Sequence, residues 1–173
     1  MRMRKDAAAG VDKMTKDRYA ENLDANLSNL IDRLQRMAYI PQPVRRKYIP
    51  KPGSAKQRPL GIPCFEDKLV QAGLVRILES VYEQDFIGDS YGFRPARSCH
   101  NALKALSETV ENYPINHIVE ADIKGFFDNV NQEWLMKFVA HRIADKRIQR
   151  MVKRFLKAGV AEDGSVTVSD EGT

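Results

Sequence analysis

The sequence predicts an α+β fold in which helices pack on small antiparallel sheets. Apolar residues recur at three- and four-residue steps over several stretches, as expected of amphipathic helices. Two pairs of short strand-like segments each flank a glycine turn, and residues 117–123 alternate apolar and other side chains. With 173 residues, 43% of them hydrophobic, the chain can form one compact domain or two closely joined subdomains.

The helices are placed by their first residues and by the breakers that follow them. The predicted helices are 15–38 starting at Thr15, 66–84 starting at Glu66 and Asp67, Ser98 to about 112, Asn131 to about Arg142, and Asp145 to Gly159. Their apolar stripes are expected to be buried. These stripes include Leu103, Leu106 and Val110 of the third helix and Trp134, Leu135 and Phe138 of the fourth.

The strands are placed by turns and by alternation. Residues 44–59 predict two strands around a Pro-Gly-Ser turn, although their prolines restrict both to an edge or a loose hairpin. Residues 117–123 predict a single strand. The Asp163-Gly164 pair predicts a tight hairpin near the C-terminus.

Charge is unevenly distributed, although the net charge is only +5. Residues 1–59 carry 14 Lys/Arg and 6 Asp/Glu, residues 60–130 carry 6 and 11, and residues 131–159 carry 8 and 2. Two basic blocks around an acidic middle favour a polyanion held from both sides of a site that concentrates carboxylates. Ordinary solvated helix faces are the alternative interpretation.

Composition excludes several classes of protein. No stretch approaches the ~20 apolar residues of a membrane span, and the N-terminus lacks the apolar region of a signal peptide. Cys64 and Cys99 fit neither a disulfide framework nor a zinc site, and the three histidines lack metal-ligand spacing. We therefore expect a cytoplasmic protein with reduced thiols and no membrane partner.

The segment 44–59 is a candidate phosphate-binding hairpin. It carries six cations and no acid, namely Arg45, Arg46, Lys47, Lys51, Lys56 and Arg58. Lys51 and Arg58 straddle the turn at Gly53, so they can approach one phosphate group, and the backbone N–H groups of Gly53 and Ser54 lie near the same spot. The spacing of a Walker loop is absent, and the pattern suits a nucleic-acid backbone or a triphosphate equally well.

Asp122 is a candidate metal ligand, because it lies where the predicted strand 117–123 ends. The carbonyl of Ile123 would supply a second oxygen, and Mg²⁺ prefers hard oxygen ligands. One aspartate cannot hold the two ions of a two-metal site. On spacing alone, a cap or turn residue is the more economical interpretation of Asp122.

Three blocks in order resemble the reverse transcriptases encoded by bacterial group II introns. They are "KYIPKPGSAKQRPLGIPCFEDKLVQAGL", "DSYGFRPARSCHNAL" and "VEADIKGFFDNV", and "AAAGVDKMT" resembles the segment that precedes them. The resemblance implies a right-hand polymerase with the fingers and the start of the palm. It implies a helical, RNA-contacting N-terminal extension over 1–43, fingers over 44–115 and a partial palm over 116–173.

The resemblance also implies roles for individual residues. Asp122 becomes the first catalytic, metal-binding aspartate, Lys51 and Arg58 contact the incoming dNTP, and Phe127 stacks under its sugar. Further template or nucleotide contacts are implied for Lys56, Arg94 and Arg97, and RNA contacts are expected for Arg45, Arg46 and Lys47.

The resemblance departs at the C-terminal end. Such enzymes carry a later Tyr-x-Asp-Asp hairpin that completes the site for two Mg²⁺ ions, and this chain contains no Asp-Asp pair. We therefore expect a piece of an RNA-directed DNA polymerase that is inactive alone and that self-associates through unpaired strand edges. In the full protein the expected partners are intron RNA, an RNA template with a DNA primer, and dNTPs. An RNA-binding splicing module (a maturase) and a retron-type or other non-intron reverse transcriptase are the alternatives.

Overall fold

The computed structural model describes residues 7–53 and 55–172, so Ser54 of the predicted turn lies outside the described residues. The helices are α1 (Lys16–Ala20), α2 (Leu23–Gln35), α3 (Phe65–Tyr82), α4 (Cys99–Asn112), α5 (Gln132–Arg142) and α6 (Lys146–Leu156). The strands are β1 (Val44–Pro50), β2 (Gln57–Ile62), β3 (Val160–Glu162) and β4 (Ser165–Thr167), and Phe127–Asn129 form one 3₁₀ turn. This mixture of helices and strands confirms the predicted α+β class.

The chain divides into two compact units. The sheet unit comprises the residues up to Leu74 and those from Gly125 onward, and the α4 unit comprises Val75–Lys124. None of the described helices is long and apolar enough to cross a membrane.

The strands form one mixed sheet with the order β2-β1-β3-β4. β1 pairs with β2 and β3 with β4 in antiparallel fashion, as both turns predicted, but β1 pairs with β3 in parallel. The prediction of only antiparallel sheets is therefore wrong. α6 ends at Leu156 with Lys157 as its C-cap, so the helix stops before Gly159, where its end was predicted. Gly159, at φ +81°, lies in the connection to β3, and its carbonyl accepts the Val44 N–H at 3.0 Å, which places β3 along the free edge of β1.

Local caps start the helices where the sequence predicts. The side chains of Ser98, Asn131 and Asp145 each accept a backbone N–H from the first turn of α4, α5 and α6. The predicted helix 15–38 is instead two helices that break at Glu21 and Asn22. The Asn26 side chain donates to the Tyr19 carbonyl at 2.9 Å across this break.

Two of the predicted apolar stripes are exposed. Leu103, Leu106 and Val110 of α4 are all exposed, and so are Trp134 and Phe138 of α5, at 56% and 64%. α5 buries Gln132 and Val139 instead. Gln132 donates its amide to the carbonyls of Leu156, Ser169 and Gly172 at 3.4, 3.3 and 2.9 Å, which turns the opposite side of α5 toward solvent.

The core of the sheet unit surrounds a buried carboxylate. Leu30, Tyr39, Val70 and Met151 form the apolar cluster, with Leu34, Leu69, Leu74 and Phe155 packed against it. Beside it, Asp67 is only 2% exposed. Asp67 accepts the Tyr39 hydroxyl and, at 3.2 Å, the Gln42 N–H. Burial raises the pKa of Asp67, because the carboxylate loses its hydration. The hydrogen bonds from Tyr39 and Gln42 offset part of this cost.

Replacing Tyr39 with phenylalanine is expected to destabilise the protein. The substitution preserves the ring but leaves one oxygen of the buried Asp67 without its donor, at a cost of roughly 1–3 kcal/mol in the free energy of unfolding. Urea unfolding of Tyr39→Phe measures this. The control is Tyr113→Phe, because Tyr113 is exposed and should change by less than about 0.5 kcal/mol. Equal unfolding free energies for both variants would show that the hydroxyl does not stabilise the core.

Candidate nucleotide and nucleic-acid site

The β1–β2 register places Lys51 and Arg58 on one face of the hairpin. Arg58 lies opposite Ile49, and Lys51 continues the ladder by donating its N–H to the Lys56 carbonyl at 3.1 Å. Lys51 and Arg58 are therefore diagonal neighbours, a relation in which side chains start about 7–8 Å apart. Both residues are exposed. The geometry thus permits the shared phosphate contact that the turn predicts.

The same alternation places further cations on this face. Arg45, Lys47 and Lys51 of the first strand and its extension share it with Lys56 and Arg58. We call this surface the basic hairpin face. It is suited to phosphate groups, because Lys and Arg supply both point charges and planar donor forks.

The three residues predicted to bind RNA have different surroundings. Arg45 donates to the Ala9 carbonyl from Nε at 3.1 Å and Nη2 at 2.7 Å, so its guanidinium holds the N-terminal segment. Arg46 lies on the opposite face, with Nε 4.0 Å from the Glu162 carboxylate. Among the described residues, Lys47 is the most accessible of the three for a bound polyanion.

The prediction of a strand over 117–123 is wrong, because the backbone of these residues is irregular. No described strand pairs with this segment, and a strand cannot form without a hydrogen-bonded partner. Asp122 is exposed and belongs to the α4 unit, and Ile123 is 70% exposed. The alternation was real, but alternation predicts a strand only where a partner exists.

The fit to a metal is partial. The Asp122 carboxylate and the Ile123 carbonyl are hard oxygen donors that suit Mg²⁺, and they supply two of its roughly six ligands. Within the ranges 7–53 and 55–172, no group of three or more His, Cys, Asp or Glu side chains could hold a metal ion. Any magnesium here would therefore need oxygens from substrate phosphates or from elsewhere.

Phe127 is presented by a turn in the sheet unit. Gly125 has φ +62°, and its carbonyl accepts the N–H groups of Asp128 and Asn129, both at 3.2 Å, as well as the Asn129 side chain at 2.7 Å. A Cβ on Gly125 would lie 2.9 Å from that side chain, so both conformation and space favour glycine. The Phe127 ring is 67% exposed and meets Phe126 edge to face at 5.3 Å.

Arg94 lies inside its own loop. Its side chain is only 7% exposed and pairs with Glu83 at 2.7 Å. Nη1 donates to the carbonyls of Ile87 and Ser90, both at 2.9 Å, and the guanidinium lies 5.0 Å from the centre of the Phe86 ring. The hydrogen bonds that Arg94 donates to the Glu83 carboxylate, together with its charge, lower the pKa of Glu83. This arrangement holds together the loop between α3 and α4, residues 83–98.

Arg97 has a more open position in the same loop. It donates to the Gly88 carbonyl at 2.9 Å and stacks 5.4 Å from the centre of the Tyr91 ring, while its side chain remains exposed. Of the two loop arginines, Arg97 is therefore the one accessible to a template or nucleotide. The Arg94–Glu83 ion pair had one signal in the sequence, an acidic residue eleven positions before the arginine.

Substituting Arg94 with lysine is expected to loosen this loop. Lysine keeps the charge but lacks the fork that reaches Glu83 and two carbonyls together. Amide hydrogen exchange over residues 84–97 should become roughly tenfold faster or more, because local opening becomes easier. Arg97→Lys is the matched control and should change exchange little. Unchanged protection in Arg94→Lys would show that the loop does not depend on the guanidinium.

The comparisons with known proteins identify the family. The reverse transcriptase (RNA-dependent DNA polymerase) family profile matches residues 49–172, and the chain belongs to this family. It is 43% identical over 159 residues to the group II intron-encoded protein LtrA of Lactococcus lactis subsp. cremoris. This match covers 92% of the chain and 26% of LtrA.

Two further relatives extend this picture. Protein YkfC of Escherichia coli K12 is 37% identical over 166 residues, which cover 94% of the chain and 43% of YkfC. A protein named nuclear intron maturase 2, mitochondrial, of Arabidopsis thaliana is 29% identical over 104 residues, or 58% of the chain and 14% of that protein. The predicted resemblance to group II intron reverse transcriptases and maturases is confirmed. The chain spans less than half of each of these relatives.

Proposed function

We propose that this chain is the fingers and the first part of the palm of a group II intron-encoded RNA-directed DNA polymerase. In this proposal residues 1–43 form an RNA-contacting extension, 44–115 the fingers and 116–173 the partial palm. The main support is the basic hairpin face, which brings Lys51 and Arg58 together in a chain that belongs to the reverse transcriptase family.

The residues would divide the work of nucleotidyl transfer. Lys51 and Arg58 bind and orient the triphosphate of a dNTP, and Lys56 of the same hairpin and Arg97 of the loop before α4 are further proposed contacts. The planar ring of Phe127 lies under the sugar, where it would clash with a 2′-OH and so favour deoxynucleotides. Arg94 acts as a positioning residue, because its guanidinium is used within the loop.

Asp122 and the Ile123 carbonyl would hold magnesium. Two Mg²⁺ ions, when bound, help to activate the attacking hydroxyl and stabilise the leaving pyrophosphate. The second ion requires carboxylates in addition to Asp122, and residues 7–53 and 55–172 contain no cluster that could supply them. We therefore propose that the chain alone does not extend a primer. The RNA template and its DNA primer are the substrates of the complete protein, which we place in the cytoplasm.

Intron RNA binding without catalysis is the second candidate function. The name of the Arabidopsis relative includes the word maturase, and the basic hairpin face would bind an RNA backbone as readily as a triphosphate. The two functions can coexist in one protein. A retron-type or other non-intron enzyme would share the same hairpin, but the relatives named for introns favour the intron-encoded class.

Asp122→Ala separates the two functions. In the natural protein that contains this chain, DNA synthesis on a primed RNA template with Mg²⁺ should fall below detection, while the Kd for RNA should change less than twofold. Asp89→Ala is the matched control, because Asp89 is an exposed acid of the same unit. Asp122-dependent synthesis by the 173-residue chain alone would contradict the proposed incomplete site. Equal loss of synthesis and RNA binding would contradict the division of roles.

Self-association of the isolated chain is also proposed. Leu103, Leu106 and Val110 form an exposed apolar stripe on α4, and such stripes favour association in water. Light scattering should show a mass above that of a monomer at high protein concentration. The double variant Leu103→Gln/Leu106→Gln should shift the mass toward the monomer, and a monomeric parent chain would refute the proposal.

A further inference from the structure

The ring of Phe127 has little side-chain packing to hold it in place. It is 67% exposed, and the neighbouring Phe126 ring that it meets is itself 52% exposed. The direction of the ring therefore depends mainly on the backbone of residues 125–130, which we call the Phe127 turn. This turn contains the 3₁₀ helix Phe127–Asn129, after which Val130 is extended. Because side-chain rotamers depend on the backbone, a contact that fixes this turn also restricts the ring.

The Asn129 side chain closes the Phe127 turn from within. Its amide donates to the Gly125 carbonyl at 2.7 Å, and the backbone N–H groups of Asp128 and Asn129 reach the same oxygen at 3.2 Å. The two backbone donors belong to any turn of this shape, whereas the third depends on the side chain at position 129. Asn129 is exposed, so its side chain stabilises the turn without filling the core.

The segment 169–172 supports the Phe127 turn from outside. Gly172 donates its N–H to the Val130 carbonyl at 2.9 Å, which joins the segment to the end of the turn. The segment is held in turn by Gln132, which is only 6% exposed and donates its amide to the Gly172 carbonyl at 2.9 Å. A buried side chain of α5 therefore fixes the position of Gly172 against the turn.

Gly172 allows this segment to lie directly on the turn. It is buried and has φ +80°, a conformation that residues with a Cβ rarely adopt. A Cβ at this position would lie 3.1 Å from the carbonyl oxygens of both Phe127 and Asp128. Those oxygens belong to the backbone, which cannot move aside as the end of a flexible side chain can. A larger residue at position 172 would therefore displace the turn that carries the ring.

We propose that Asn129 and Gly172 are positioning residues for discrimination between deoxyribonucleotides and ribonucleotides, and that they act through Phe127. Asn129 closes the turn from within and Gly172 fixes it from outside, so the ring is held where a 2′-OH would meet it. Neither residue itself contacts the nucleotide. The inference rests on the proposed role of Phe127 under the sugar. Small displacements of a group that positions a substrate change rates severalfold or more, so both contacts should affect selectivity.

Selectivity between dGTP and GTP tests the role of Asn129. The two nucleotides differ only in the 2′-OH, and each is added singly to a primed RNA template by the natural protein that contains this chain. Asn129→Ala should reduce the ratio of kcat/KM for dGTP to kcat/KM for GTP by roughly fivefold, the factor expected for one lost neutral hydrogen bond.

Asn112→Ala is the matched control for this substitution. Asn112 is also exposed and also donates its amide to a carbonyl four residues earlier, that of Glu108 at 2.7 Å, but it belongs to α4. Its dGTP/GTP ratio should stay within about twofold of the parent, as expected for a surface change remote from the site.

The ratio separates positioning from a purely structural role. A variant that only lowers the amount of folded enzyme reduces both kcat/KM values by the same factor and leaves the ratio unchanged. Phe127→Ala should itself lower the ratio, and adding Asn129→Ala to it should cause no further change, because no ring remains to be positioned. An unchanged ratio in Asn129→Ala, or an equal further loss in the double variant, would overturn the proposal.

Gly172→Ala tests the outer support, with Gly164→Ala as its control. Gly164 has φ +79°, so both substitutions introduce similar backbone strain. A Cβ at Gly164, however, would lie more than 4 Å from every described residue except its chain neighbours. Only Gly172→Ala should therefore lower the dGTP/GTP ratio. An unchanged ratio, or a failure to fold that Gly164→Ala does not share, would overturn the assignment of Gly172 as a positioning residue.

These measurements also distinguish a failure of the proposed function. If Phe127→Ala leaves the ratio unchanged, Phe127 does not lie under the sugar, and its proposed role is wrong together with the positioning of its ring. If Phe127→Ala lowers the ratio but Asn129→Ala and Gly172→Ala do not, only the positioning by these two residues is wrong.

Discussion

The buried Asp67 carboxylate is the constraint on which the sheet unit depends. Its hydrogen bonds to Tyr39 and Gln42 tie the start of α3 to the segment that leads into β1. Arg154 of α6 donates to the carbonyls of Met37 and Tyr39 in that same segment. Polar contacts to the short segment from Met37 to Gln42, which leads into β1, thus position the basic hairpin face. A charged group in the core is expensive, and the donors Tyr39 and Gln42 offset part of that cost.

Features that depend on neighbours in sequence were predictable. The caps at Ser98, Asn131 and Asp145, and the two glycine turns, each need only a few adjacent residues to specify them. The common face of Lys51 and Arg58 also follows from the turn, because the turn sets the register. The parallel pairing of β1 with β3 and the exposure of Trp134 depend on residues far apart in the chain, and no local pattern encodes them.

The candidate site shows the same division. Gly125 and the turn before Phe127 are local, but whether Asp122 ends a strand depends on another strand beside it. Arg94 stands in a block whose resemblance suggests a nucleotide contact, yet its guanidinium is used by Glu83 and two carbonyls. Sequence blocks identify the family and the chemistry available to it. Which arginines remain accessible is decided by packing.

The parallel pairing of Val44 with Val160 also sets an order of folding during synthesis. The β1–β2 hairpin can form as soon as Ile62 has been made, but the strand that closes its other edge is translated much later. At ribosomal rates of about 5–20 residues per second, this delay is on the order of ten seconds. Throughout that interval β1 offers an unpaired edge, the kind of surface on which nascent chains aggregate or recruit chaperones. The strand β1 carries Arg45, Arg46 and Lys47. Repulsion between these charges would keep the β1 edges of two nascent chains apart.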